Sequence, residues 1–229
     1  MSVAATGRVA AIIPAAGAGL RLGADVPKAF LALGGLSLLT RSALAMSALV
    51  DILVVAVPAD SLLEASEQLS QVDAEIHIVA GGEHRQESVA NALRMVPQDV
   101  SIVLVHDAAR PLVPFEVTQN VIFAIRNGAK AVVPVLPLVD TIKRVNSQGL
   151  AIETVDRNQL RRVQTPQGFD RDTLVLAYQN PEVVATDDAG LMDALGIAVA
   201  TVVGDERSLK ITTMADVKHA LSLLGDTSE

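Results

Sequence analysis

The stretch Val9-Ala10-Ala11-Ile12-Ile13-Pro14-Ala15-Ala16-Gly17-Ala18-Gly19-Leu20-Arg21-Leu22-Gly23 decides how the chain is read. It begins as an apolar run and empties at Pro14 into a loop of small residues. A strand that is apolar throughout, rather than alternating, belongs to a parallel sheet covered on both faces. The pattern then repeats along the chain as apolar run, turn and amphipathic stretch. Strands are predicted at Val9–Pro14, Ile52–Val57, Glu75–Val79, Ile102–His106, Ala131–Val135 and Ala198–Val203, and helices at Leu38–Leu49, Ser61–Leu69, Gln86–Met95 and Glu116–Asn127. Asp60 reads as a helix N-cap and Gly128 as a helix stop. Strands alternating with helices predict an α/β fold, a mostly parallel sheet with helices on both faces, whose ligands bind at the carboxyl ends of the strands.

Composition narrows the chemistry. The 229 residues are 50% apolar but only 2% aromatic, so the core must come from Ala, Val, Leu and Ile. So few aromatics argue against modules that stack single-stranded bases. With 18 Lys+Arg against 26 Asp+Glu, the net charge of −8 offers no global field for a nucleic acid. Any anionic ligand must be held by a local cluster of cations and backbone amides. Cys is absent, which removes disulfides, thiolate metal sites and Cys nucleophiles and fits a cytoplasmic location. The N-terminal run leads into a glycine loop and makes a poor signal peptide. The longest mostly apolar region, Leu31 to Val57, is cut by Arg41 and Asp51, so no membrane span is predicted.

One segment breaks the rhythm. Between Leu136 and Gln164 two alternating runs flank the polar turn Asn146-Ser147-Gln148-Gly149. This predicts a β-hairpin arm at about 137–163 protruding from a single domain spanning 1–229. A two-stranded arm is marginal alone, and a second copy of the chain is the economical partner. Five of the 18 Lys+Arg, namely Lys143, Arg144, Arg157, Arg161 and Arg162, fall on it, a modest enrichment.

Three strand ends carry candidate chemistry. The first loop admits three readings. Its G-x-G-x-x-x-G spacing departs from the dinucleotide fingerprint, and Lys28, between Pro27 and Ala29, departs from the Walker pattern. A loop cradling a nucleoside triphosphate, with Arg21 and Lys28 as its cations, competes with an ordinary glycine turn. After the third strand, Gly81-Gly82-Glu83 with Ser88 either meets a flat ring or forms a tight turn before a helix. After the fourth come His106-Asp107-Ala108-Ala109-Arg110-Pro111. Asp107 reads as a Mg2+ or hydroxyl partner, with a helix cap as the plainer alternative. Arg110 reads as a partner for Asp107 or for the loop, and His106 reads as a buried, satisfied histidine.

The ordered run AAGAGLRLG…PKAF, GGEHRQESV, HDAARP, DTIKRV, TVDRNQL, QTPQGF, TDDAG and LKITT resembles the 2-C-methyl-D-erythritol 4-phosphate cytidylyltransferase family, from about residue 9 to the C-terminus. The resemblance implies a Rossmann-like, glycosyltransferase-A-like fold and a homodimer joined through the arm. It implies that CTP and the methylerythritol phosphate are joined, with pyrophosphate released, in non-mevalonate isoprenoid precursor synthesis. By position it assigns Arg21, Lys28, Arg157 and Lys210 to catalysis. It assigns Ala15, Ala16, Gly17, Gly82, Glu83, Ser88, Asp107, Thr141, Thr165 and Thr186 to substrate binding. Arg157 and Thr141 are implied to reach a partner's site, and Mg2+ or another divalent cation is implied near Asp107. Leu20 and Glu83 depart from the usual pattern, where a polar or basic residue and an Asp are frequent.

The chemistry agrees. A phosphate monoester attacking a triphosphate is already ionised near neutral pH, so alignment and charge neutralisation are the problem. Ribitol 5-phosphate as the acceptor, and a non-catalytic nucleotide-binding protein, are the alternatives. Neither a nucleic-acid nor a membrane partner is expected.

Overall fold

The computed structural model describes residues 7–17, 27–179 and 185–225. In chain order the strands are β1 (Arg8–Pro14), β2 (Ala32–Leu33), β3 (Leu36–Ser37), β4 (Ile52–Val57), β5 (Glu75–Ala80), β6 (Val100–Val105), β7 (Ala131–Pro137), β8 (Ile142–Val145), β9 (Ala151–Val155), β10 (Arg161–Val163), β11 (Gln167–Asp170) and β12 (Val199–Val203). The helices are α1 (Leu38–Ser47), α2 (Leu62–Leu69), α3 (Arg85–Leu93), α4 (Phe115–Arg126), α5 (Arg171–Tyr178), α6 (Asp188–Ala194) and α7 (Met214–Gly225).

The main sheet runs β10-β7-β11-β6-β1-β4-β5, with β12 also pairing β7. Strands β5, β4, β1 and β6 are mutually parallel, in register Ala10 with Ile52 and Ala10 with Val103. From β1 the chain moves outward to β4 and β5, then returns to place β6 on the other side. The crevice where the order reverses, beyond the ends of β1 and β6, is where such sheets bind ligands.

Period-two geometry explains the apolar strands. Ala11, Ile13, Leu53, Val55 and Leu104 face a layer made by α1, α2 and α4, through Leu39, Met46, Leu69, Val121 and Ile125. Ala10, Ile12, Val54, Ala56 and Val103 face the opposite layer of α3, α5 and α6, through Val89, Leu93, Leu174 and Met192. Both faces are covered, so neither can carry polar residues. A third, smaller cluster packs Val217 and Ala220 of α7 on Leu33, Leu38 and Ile211. Among the described residues, no helix is long and apolar enough to cross a membrane.

All six predicted strands form, their ends shifted by two residues at most, and the four predicted helices form with similar ends. Gly128 ends α4 as expected, at φ +102°. Asp60 does not cap: α2 begins after Ser61, and the Asp60 carboxylate instead accepts the Ser61 hydroxyl. Strand β11 carries no apolar signature. It runs antiparallel between β6 and β7, and its Gly168 lies beneath α4, where a Cβ would meet Val121 Cγ1 at 2.4 Å.

Strands β8 and β9 form a separate two-stranded sheet, the hairpin expected between the two runs. Asn146 Oδ1 accepts from the amides of Gln148 and Leu150, and Gly149 takes φ +79° to close the turn. Val145, Leu150 and Ile152 on this hairpin are more than half exposed.

Candidate active site

A cavity of about 170 Å3 opens at the reversal point between β1 and β6, lined by Pro14–Gly17, Lys28, Ala29, Gly82–Arg85, Ser88, Asp107–Ala109 and Lys210. Nine residues singled out in the sequence therefore meet around one hollow: Ala15, Ala16, Gly17, Lys28, Gly82, Glu83, Ser88, Asp107 and Lys210. Arg21 lies outside the described residues.

Each wall has a local cause. Ala15 continues the β1 ladder by donating to Ala56 O, which holds the backbone of the small-residue loop in place. Lys28 opens a 3-10 turn whose next two residues, Ala29 and Phe30, are buried in the core, so the lysine is pinned by its neighbours. On the opposite wall, Ser88 Oγ accepts from Gly82 N at 3.1 Å and donates to His84 O at 3.1 Å. Glu87 Oε2 accepts from Glu83 N at 2.8 Å. The α3 N-terminus is thus folded back onto Gly81-Gly82. A Cβ on Gly81 would come within 2.5 Å of Ala16 Cβ, so the two walls approach only because Gly81 has no side chain. The segment leads into α3, which begins at Arg85 after the N-cap His84, and Gly82, Glu83 and Ser88 line the cleft.

Asp107 is the electrostatic centre. Its Oδ2 lies 2.8 Å from Lys210 Nζ and 3.8 Å from Arg110 Nε, and its Oδ1 lies 3.2 Å from Arg85 Nε. Burial alone would raise a carboxyl pKa, but the charges of Arg85, Lys210 and Arg110 outweigh it and hold Asp107 ionised, far below the usual carboxylate range. It caps no helix. Arg110 also donates to Ser208 O at 2.6 Å and Val163 O at 3.3 Å, tying the end of β6 to the Lys210 loop and to the root of the arm. Lys210 is held further by Ile211, fully buried, whose amide donates to Ala109 O at 2.8 Å.

His106 is the buried, satisfied residue expected. Its Nε2 lies 3.1 Å from Arg110 O, an acceptor, so that nitrogen carries the proton in the neutral ring. Its Nδ1 then accepts from Thr165 Oγ1 at 3.1 Å, and Thr165 in turn accepts from Asp107 N at 3.0 Å. Burial drives the His106 pKa down to about 4, so the ring is neutral at pH 7. The Thr165 hydroxyl, 4% exposed, sits behind the cavity wall with both bonds committed inside the protein.

Besides Thr165, three assigned residues do not line this cavity. Thr141 and Arg157 lie exposed on the arm, where the Arg157 guanidinium donates to Val139 O. Thr186 lines a separate small cavity with Arg85, Tyr178 and Asp188. Arg85 went unassigned in the sequence. Its only signal was its place two residues after Glu83 at the start of a helix, and long-range pairing with Asp107 leaves no local trace. Among the described residues, no group of three or more His, Asp or Glu is placed to hold a metal by itself. The arrangement can hold a polyanion between Lys28 and Lys210, against backbone amides, with Asp107 fixing Lys210 in place.

Comparison with known proteins adds the family. The model of 2-C-methyl-D-erythritol 4-phosphate cytidylyltransferase matches residues 9–226. A protein of that name from Frankia casuarinae is 49% identical, over 96% of this chain and 82% of its own length. One from Saccharopolyspora erythraea is 48% identical, over 94% of this chain and 99% of its own. Among solved structures, that of the Thermus thermophilus enzyme of this name is similar at TM-score 0.79 and 35% identity, covering 94% of this chain and 98% of that one. A 4-diphosphocytidyl-2C-methyl-D-erythritol synthase from Anaerococcus prevotii is similar at TM-score 0.85 and 28% identity, covering 96% of both chains.

Proposed function

The chain belongs to the 2-C-methyl-D-erythritol 4-phosphate cytidylyltransferase family, and from that premise we propose that its cleft joins CTP to 2-C-methyl-D-erythritol 4-phosphate. The products are 4-CDP-2-C-methyl-D-erythritol and pyrophosphate, in isoprenoid precursor synthesis. The observation that carries the reading is the meeting of Lys28, Lys210 and Asp107 around the cavity at the reversal point of the sheet.

An oxygen of the acceptor phosphate bonds to the α-phosphorus of CTP. The bond from that phosphorus to the bridging oxygen of the β-phosphate breaks, and its electron pair leaves with pyrophosphate. With a second ionisation near pKa 6, the acceptor phosphate needs no general base. Catalysis is then alignment and charge neutralisation. In this reading Lys28, together with Arg21, stabilises charge on the triphosphate, and Lys210 orients the incoming phosphate. Ala15, Ala16, Gly17, Gly82, Glu83 and Ser88 hold the nucleotide. Arg157, Thr141 and Thr186 hold the acceptor, with Arg157 and Thr141 supplied across a homodimer joined by the arm at about 137–163 of the single domain. Thr165 contributes by fixing the Asp107 backbone.

A divalent cation is part of the proposal. Asp107 and Glu83 are carboxylates lining the cavity, and Mg2+ is ordinarily held by one or two carboxylates plus substrate phosphates. Asp107 would hold it, and the cation would supply neutralisation of the triphosphate charge. A cytoplasmic location is part of the proposal, supported by the absence of cysteine.

The test mixes the protein with Mg2+, CTP and 2-C-methyl-D-erythritol 4-phosphate and measures pyrophosphate, with ribitol 5-phosphate as a parallel acceptor. Release with the first acceptor and little with the second supports the reading. Preference for ribitol 5-phosphate, or CTP binding without turnover, overturns it.

A further inference from the structure

Behind the cavity wall lies a second set of charges that the reaction as described does not use. Arg85, the first residue of α3, stands between two carboxylates from distant parts of the chain. Its Nε lies 3.2 Å from Asp107 Oδ1 and its Nη1 lies 2.8 Å from Asp188 Oδ2. Asp188 opens α6, is 1% exposed, and accepts the Tyr178 hydroxyl on its other oxygen at 2.5 Å. Burial and the neighbouring carboxylate keep the Tyr178 phenol protonated, and hence a donor.

A buried carboxylate is expensive unless it is paired, so Asp188 needs a reason to be there. Its own helix does not supply one: Asp187, not Asp188, caps α6, accepting from Gly190 N at 3.0 Å, and its other oxygen accepts from Gln167 at 2.7 Å. Arg85 is a wall of both the main cavity and the small cavity that holds Thr186. A guanidinium is planar and rigid, so anchoring it on Asp188 fixes the angle it presents to Asp107. Without that anchor, the whole guanidinium would be free to turn onto Asp107.

We propose that Asp188, seconded by Tyr178, is a positioning residue of the transfer reaction: it holds Arg85 so that Asp107 and the Thr186 segment keep a fixed relation across the cavity wall. The inference rests on the cytidylyltransferase reading and deepens it. Asp188 and Tyr178 line the small cavity beside Thr186 and not the main one, and in this proposal they act through Arg85.

The experiment compares wild type, Asp188→Asn, Tyr178→Phe, Arg85→Gln and the Asp188→Asn/Arg85→Gln double variant, with pyrophosphate release as the readout. Asp188→Asn is expected to lower kcat about 10-fold or more and to raise the acceptor KM severalfold, the scale on which small misplacements act. The acceptor KM is the deciding quantity, because loss of folded protein lowers apparent kcat but leaves KM unmoved. Tyr178→Phe removes only a hydroxyl and is expected to shift both in the same direction by less, which serves if Asp188→Asn does not fold. The double variant is expected to lose little beyond Arg85→Gln, since both act through one guanidinium. An unchanged acceptor KM in Asp188→Asn, or in Tyr178→Phe if the former does not fold, overturns the inference. So do fully additive losses in the double variant. Absence of pyrophosphate release by the wild type instead overturns the cytidylyltransferase reading, and this inference falls with it.

Discussion

Lys210 Nζ lies 2.8 Å from Asp107 Oδ2, so the lysine proposed to grip the incoming phosphate is held in place by the carboxylate at the centre of the cavity. Their removal is not symmetrical. Lys210→Ala leaves Asp107 with Arg85 and Arg110 as neighbours. It should barely change the urea midpoint while lowering kcat about 100-fold, with a raised acceptor KM. Asp107→Asn leaves three cations facing one another with their shared counter-charge gone. It should destabilise the fold by about 3 kcal/mol, the usual cost of breaking a buried pair. Equal stability losses in the two variants would refute this account.

Gly81 sets the distance between the two cavity walls. Gly81→Ala puts a Cβ at 2.5 Å from Ala16 Cβ and 2.9 Å from Ser88 Oγ, and neither neighbour is the end of a flexible chain. The walls must separate. The expected result is a loss of about 1–3 kcal/mol in urea unfolding, together with a raised KM for CTP. Wild-type stability and CTP KM together would mean the contact relaxes at no cost.

Asp216 secures the segment that carries Lys210. Its Oδ2 accepts from the amides of Thr212 and Thr213 at 2.8 and 2.7 Å and from both hydroxyls. The hydroxyl and amide donors, led by the Thr212 hydroxyl, lower its pKa to about 2 from the ordinary 3.8. A depressed carboxyl stabilises the fold above pH 4, and that contribution is lost as pH falls towards 2. The site is mostly solvated, so the effect is small. Asp216→Ala should cost about 1 kcal/mol at pH 7, as for a lost helix cap, with the difference from wild type shrinking at pH 2. A pH-independent difference would assign the loss to packing.

If Arg157 serves the partner's site, two defective proteins should repair each other. Arg157→Ala and Lys210→Ala are each expected to be nearly inactive. After unfolding together and refolding as a mixture, heterodimers carry one site with both lesions and one with neither, restoring about a quarter of wild-type activity. No recovery would place Arg157 in its own subunit's site, or outside any site. If the arm joins a homodimer as proposed, Ile152→Asp on the exposed hairpin should leave a monomer by analytical ultracentrifugation, where wild type sediments as a dimer.

Much of the site was legible because its residues cluster at strand ends and fall in contiguous motifs. Pro14–Gly17, Gly82–Ser88 and His106–Arg110 each sit beyond an apolar run whose periodicity marks a parallel strand. Strand β11 was not legible: its burial comes from β6, β7 and α4 closing around Gln167 and Gly168, which lack apolar side chains of their own. Arg85 and Asp188 were missed for a related reason. A buried ion pair joins residues distant in the chain, and neither partner's local sequence records the other.

The amino-acid sequence by itself determined the covered parallel sheet, the hairpin arm, the family and most of the cavity lining, since all of these follow from short-range periodicity, turn chemistry and local motif. Only the tertiary structure decided which charges meet: that Lys210 and Arg85 converge on Asp107, that Thr165 turns its hydroxyl inward to His106, and that Thr186 lies behind the wall formed by Arg85. The physical reason is that charge pairing and burial depend on through-space distance, which the chain acquires only when the reversal in strand order folds its far segments against the same edge.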